Sequence, residues 1–152
     1  MKNMTKVLGA AALFMSMLGL NGCSTTESAQ KDDFGPKHKL VIQVSSADPL
    51  TQKIALNNAS NIQKGLGIDN IAVEIVAYGP GLSILTAKSK NAKRVSSLSA
   101  QGIAFSACGN TLKKIKKKKG KAPKLVNGVK VVPGGVGRII ALQEKGYSYI
   151  RP

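Results

Sequence analysis

Few side chains of this 152-residue sequence could do covalent chemistry: two cysteines, Cys23 and Cys108, and one histidine, His38. A structural zinc site takes four Cys or His ligands at short spacings, a stapled scaffold takes several cysteine pairs, and a dithiol oxidoreductase takes a CxxC pair. None of these fits, so neither a metal nor a cofactor is expected. His38 stands in the lysine-flanked KHK, which is no setting for a Ser-His-Asp triad. Cys108 is better placed. It closes the β-rich run GIAFSAC, and NTLKKIKKKK after it begins like a helix with Asn110 or Thr111 as cap. Chemistry on an open α/β sheet gathers beyond the carboxyl ends of the strands, where a following helix aims free N–H groups and its positive dipole end back at the sulfur. Both favour thiolate over thiol, and Lys113, Lys114 and Lys116 add a positive field that is screened beyond about 8 Å at physiological salt. The expectation is a nucleophilic sulfur standing open at a pocket mouth. The competing reading is a small buried hydrophobe, because free Cys is among the most buried residue types.

Other residues gather around that strand end. Gly109, Asn110 and Thr111 follow the sulfur directly, while Tyr78, Gly79, Pro80 and Gly81 end another strand and could wall the same pocket. Gly134, Gly135 and Gly137 precede Arg138 at a helix start, where bare N–H groups could seat an anion with the guanidinium assisting. The GxGxxG and GxxxxGK[ST] spacings are absent, so a structural turn is the plainer reading.

The formal charge is +16, and nine lysines fall between Lys113 and Lys130. Like charges at helical spacing repel, so the helix is expected to fray near Lys116 and give way to a loop by Gly120. The run is either a solvated surface or a contact for anionic lipid head groups or an acidic protein through Lys113, Lys114, Lys116, Lys117, Lys118 and Lys119. Nucleic acid is not an expected partner: aromatic residues are only 4% of the chain, and no recognition signature accompanies the charge.

Lys2 and Lys6 precede an uncharged apolar run from Val7 to Leu20, too short for a comfortable membrane span and laid out as a secretory signal peptide over residues 1–22. The ending Leu20, Asn21, Gly22, Cys23 resembles the bacterial lipoprotein box, which implies cleavage before Cys23 and lipid on its thiol. Residues 23–37 then read as a polar tether. Ser24 after the cysteine implies, by resemblance to enterobacterial sorting, an outer-membrane anchor facing the periplasm.

From residue 38 to 152 short β-rich runs alternate with helical ones. LVIQV (Leu40 to Val44), IAVEIVAYG (Ile71 to Gly79), GIAFSAC (Gly102 to Cys108), Lys130 to Val132 and YSYIR read as strands. The second is apolar at nearly every position and is expected at the centre of a sheet covered on both faces. Asp48 caps a first helix with Pro49 at its first position; Leu50, Ile54, Leu56, Ala59 and Ile62 share its apolar face, and Gly65 and Gly67 stop it. Helical pieces carry Leu82, Ile84 and Leu85, then Ala92 to Ala100, and a last helix turns Ile139, Ile140 and Leu142 inward before Gly146. Tyr147 and Tyr149 alternate on the final strand as packing or subunit contacts. This is an α/β domain, a small parallel sheet of about five strands in three layers.

VAYGPGL (Val76 to Leu82), GIAFSACGNTL (Gly102 to Leu112) and VVPGGVGRIIALQEKGYSYIRP (Val131 to Pro152) together resemble the DsrE/DsrF-like family, whose better-known members serve in bacterial sulfur relays. The resemblance implies a parallel-sheet fold, a homo-oligomer (trimer or hexamer), and a cysteine that carries sulfur as a persulfide. Cys108 matches the family cysteine, and Asn110 and Thr111 match the residues after it. Relatives often carry Ser where this chain has Gly134, and the lysine run is not a family feature. The expected function is therefore an exported, membrane-tethered carrier of the sulfurtransferase type acting through Cys108. Its alternative is a non-catalytic small-anion-binding or assembly module.

Overall fold

The computed structural model describes residues 36–152. The expected signal peptide, Cys23 and nearly all of the expected tether lie outside the described residues. Five strands and four α-helices alternate: β1 (His38–Val44), α1 (Pro49–Leu66), β2 (Ile71–Ala77), α2 (Ala92–Ala100), β3 (Ala104–Cys108), α3 (Gly109–Lys119), β4 (Lys130–Val132), α4 (Gly135–Gln143) and β5 (Ser148–Ile150), with a 3-10 segment at Gly79–Leu85. All strand pairs are parallel, in the order β4-β3-β2-β1-β5. The expected α/β architecture is the observed one, and IAVEIVA occupies the centre of the sheet.

The topology explains how the helices divide. Parallel crossovers are right-handed, so the three steps from β1 to β4, all in one direction, put their helices on one face. The return from β4 to β5 runs the other way and puts α4 on the opposite face. The apolar side chains follow. Ile42, Val44, Val73, Ile75, Phe105 and Ala107 meet α1, the 3-10 segment, α2 and α3 in the larger core, whereas Val41 and Val76 meet only Ile139 and Leu142 of α4, flanked by Tyr78 and Tyr147.

Four local expectations need correction. Leu50 and Ile54 are exposed on α1, whose buried face is Gln52, Ala55, Leu56, Ala59 and Gln63. The glutamines are tolerated there because Gln52 Nε2 donates to Ser46 O at 3.1 Å and Ser83 Oγ at 2.9 Å, and Gln63 Nε2 donates to Gln101 O at 2.9 Å. Gly65 lies within α1, and Gly67 alone caps it. Ile140 points outward, since only Ile139 and Leu142 fall on the narrow stripe that one short helix presents to the sheet. Finally, α3 does not fray near Lys116. It runs to Lys119 and ends at Gly120 in the left-handed conformation, φ 78°. Its lysines crowd the last turn, where the negative dipole end and unsatisfied carbonyls favour cations, while Leu112 and Ile115 anchor it to the core.

Gly81 marks the tightest packing. Its N–H donates to Ser45 O at 3.1 Å, and a Cβ there would lie 2.3 Å from the Val44 carbonyl oxygen. A main-chain carbonyl at a strand end cannot yield cheaply. Gly81→Ala is expected to destabilise the fold by at least the about 1–3 kcal/mol typical of overpacking, as measured by urea denaturation.

Candidate functional site

Cys108 is the last residue of β3 and also the N-cap of α3, in place of the expected Asn110 or Thr111, so the helix starts one residue after the sulfur. That register makes Gly109, Asn110 and Thr111 the first three helical positions, and the N–H groups of the second and third turn toward the N-cap side chain. A second helix start converges on the same point. The Cα of Cys108 lies opposite Val132 in the β3–β4 register, and Pro133 and Gly134 then lead into α4, whose first residue is Gly135.

The thiol shows the balance of these contacts. Burial pushes its pKa up; the Thr111 hydroxyl and the N–H groups of Thr111, Gly135 and Asn110 pull it down and prevail, leaving it below the ordinary cysteine value. The N–H groups act as a shared electrostatic cradle rather than as one closed cap hydrogen bond. Thr111 is the hinge of the arrangement. Its Oγ1 accepts from Gly79 N–H at 2.9 Å, which leaves the hydroxyl proton free, and the hydroxyl is the largest of the influences that lower the thiol pKa. The lysines of α3 are not among the causes, so the field expected from Lys113, Lys114 and Lys116 gives way to short-range dipoles.

The sulfur does not stand open. Cys108 is only 5% exposed, yet it belongs to neither apolar cluster. Tyr78 packs against the start of α4: a Cβ on Gly135 would lie 2.9 Å from Tyr78 Cδ1, so glycine lets α4 begin against the ring. Gly109 is likewise pressed against the Val132 carbonyl, with 3.0 Å left for a Cβ. Asn110 Nδ2 lies beside Gly134, and the Asn110 N–H donates to Pro133 O at 3.2 Å, tying the two helix starts together. Tyr78, Gly79, Gly109, Asn110, Thr111, Gly134 and Gly135 therefore do surround the strand end, while Gly81 serves packing under β1.

Arg138 and Glu74 form the part of the site that sequence reasoning missed. Glu74 projects from the middle of β2 onto the α4 side of the sheet, almost wholly buried. Arg138 of α4 grips it through Nε at 2.8 Å and Nη2 at 2.6 Å, and Ser106 Oγ donates to the same carboxylate at 2.6 Å. Burial pushes the Glu74 carboxyl up, but Arg138 and Ser106 hold it below the usual range. The anion that Arg138 seats is thus internal. A lone charge inside an apolar strand is the signal that could have predicted it, since buried carboxylates are paired.

Residues 38–152 match the DsrE/DsrF-like family over the whole described domain. The chain belongs to that family. A solved protein of unknown function from Methanobacterium thermoautotrophicum is similar to it at 34% identity and a TM-score of 0.68, over 76% of this chain and 99% of that one. No curated protein matches. DsrE/DsrF-like membership points to a role related to sulfur relay, and Cys108 is the free cysteine among the described residues. No three His, Cys, Asp or Glu side chains come together as metal ligands among the described residues.

Two outcomes test this geometry. Thr111→Val should raise the pH midpoint of Cys108 alkylation, read from iodoacetamide rates across a pH series, and Thr111→Ser should restore it. Arg138→Ala strands Glu74 and should cost toward the lower end of about 3–5 kcal/mol, because the guanidinium keeps 34% of its surface in water. In the wild type, with the Glu74 pKa lowered on folding, the pair's contribution is present above the unfolded carboxyl value and is lost as pH falls through the folded one. The Arg138→Ala penalty, followed by denaturation at several pH values, should accordingly shrink in acid.

Proposed function

We propose that the protein is a sulfur carrier whose Cys108 holds sulfane sulfur as a persulfide. The observation that supports this reading is the convergence of two helix starts and the Thr111 hydroxyl on one sulfur, lowering its pKa against the cost of burial. The Cys108 thiolate attacks the outer sulfur of a persulfide R–S–SH. An S–S bond forms between Cys108 Sγ and that sulfur, the S–S bond of the donor breaks, and the released R–S⁻ takes a proton from solvent. Cys–S–SH then passes its outer sulfur to an acceptor thiolate by the same displacement, returning Cys108 as thiolate. The sulfane sulfur changes hands with no external oxidant. The cradle that favours thiolate also favours the persulfide anion, so the resting and loaded states are stabilised alike.

The reading extends to place and partners. The signal segment and Cys23 would export the domain and hold it on a membrane by lipid, outer membrane favoured, with the α3 lysines meeting anionic head groups or an acidic protein. Val136 and Ile140, exposed one turn apart on α4, form the face on which further copies would pack.

The burial of Cys108 favours a second reading, a non-catalytic anion-binding or assembly module in which the sulfur is a packed cap. One experiment separates the two. Incubating the protein with polysulfide should add about 32 Da, one sulfur, to wild type and nothing to Cys108→Ser in intact-mass spectra. An unmodified wild type that alkylates only after denaturation would leave the second reading standing.

A further inference from the structure

A groove of about 1020 Å³ opens beside the strand ends, between the 3-10 segment and α3 and closed at its far end by residues 121–124. Its floor is apolar, with Leu82, Ile115, Pro80 and Pro123 among the lining groups. Its rim is cationic: Lys88, Lys114, Lys118, Lys119, Lys121 and Lys124 line it, and no carboxylate does. The salt bridge among the described residues joins Arg138 to Glu74 on the other face of the sheet, so these ammonium groups have no internal counter-charge. The helix selects its lysines. Thr111, Lys114, Ile115 and Lys118 share the spacing of one α3 face and turn into the groove, whereas Lys113, Lys116 and Lys117 do not line it.

A concave apolar channel rimmed by unpaired cations excludes most ligand classes. An inorganic anion would leave the floor empty, and a neutral apolar molecule would leave the lysines unanswered. A peptide would need acceptors for its N–H groups, but the polar side chains here already have work: Thr111 accepts from Gly79 N–H, Ser83 accepts from Gln52, and the Thr86 hydroxyl donates to Ser83 O. A flat bilayer surface cannot enter a channel. The ligand that satisfies floor and rim together has one flexible hydrocarbon body, few donors and an acidic head.

We propose that this groove is a binding site for a single-chain anionic amphiphile, a free fatty acid in the simplest case, with the chain along Leu82 and Ile115 and the carboxylate among the rim lysines. The site is independent of the sulfur chemistry, although Tyr78, Gly79 and Thr111 line it and Thr111 also acts on the Cys108 thiol. The amphiphile therefore lies against a residue that acts on the thiol.

Calorimetric titration of the full chain with myristate, kept below its micellar concentration, tests the assignment. One myristate per chain is expected, with no comparable heat from inorganic phosphate or from tetradecanol. The double variant Lys114→Gln/Lys118→Gln should weaken binding at least tenfold, and Lys113→Gln/Lys117→Gln, equal in charge but outside the groove, should leave it within twofold. Ala122→Trp, at an exposed lining position, should block the channel and abolish binding while preserving the circular dichroism spectrum. No binding of myristate, equal losses in the two lysine pairs, or binding only to anionic vesicles would overturn the proposal. Because none of these measurements involves Cys108, failure to load sulfur and failure to bind myristate are separate results.

Discussion

A carboxylate in the middle of a buried strand must find a cation, and in this fold it finds one 64 residues later on the helix that returns across the sheet. The Glu74–Arg138 pair is what ties α4 to the central strand. The apolar contact beneath that helix is slight, only Ile139 and Leu142 against Val41 and Val76 with two tyrosines at the side. Burying an ion pair contributes less to stability than equal apolar area, but a bidentate grip on one carboxylate sets the position of a helix more sharply than aliphatic contact does. The first turn of α4 is thereby held where its Gly135 N–H meets Cys108.

The site is thus the product of topology. Adjacent parallel strands β3 and β4 each turn into a helix at the same edge, and each helix start has N–H groups with no internal acceptor. Both sets lower the pKa of the Cys108 thiol. Thr111 links this cradle to the turn after β2, so all three strand ends on that side of the sheet take part. The electrostatics act at hydrogen-bond range, so the solvated lysines nearby are not among the influences on the thiol.

Much of this was readable in the sequence, and what was not has a common cause. The strands, their alternation with helices and the central place of IAVEIVA follow from local patterns, apolar runs and glycine or proline punctuation. Cys108 at a strand end also follows, because GIAFSAC stops where GNTL begins. The depth at which Cys108 lies does not follow, since it is set by Tyr78 and by α4, elements remote in the chain. Glu74 was hidden by the apolar residues around it, and Arg138 by the glycines before it, which pointed to an external anion. On α1, the spacing of Leu50 and Ile54 competed with that of Ala55, Leu56 and Ala59, and it is the second set that faces the sheet and joins the core. The α3 lysines were visible as a run, but only the helix phase divides those facing the groove from the rest.

The unequal covering of the sheet bears on how the sulfur is reached. One face carries several helical elements, the other a single nine-residue helix, so the lightly clad side opens at lower free energy than the molecule as a whole. The helix that would lift away is the one whose Gly135 N–H helps lower the Cys108 pKa. Lifting it admits a reagent and at the same moment strips the sulfur of part of what keeps it ionised. In this architecture admission and activation pull against each other.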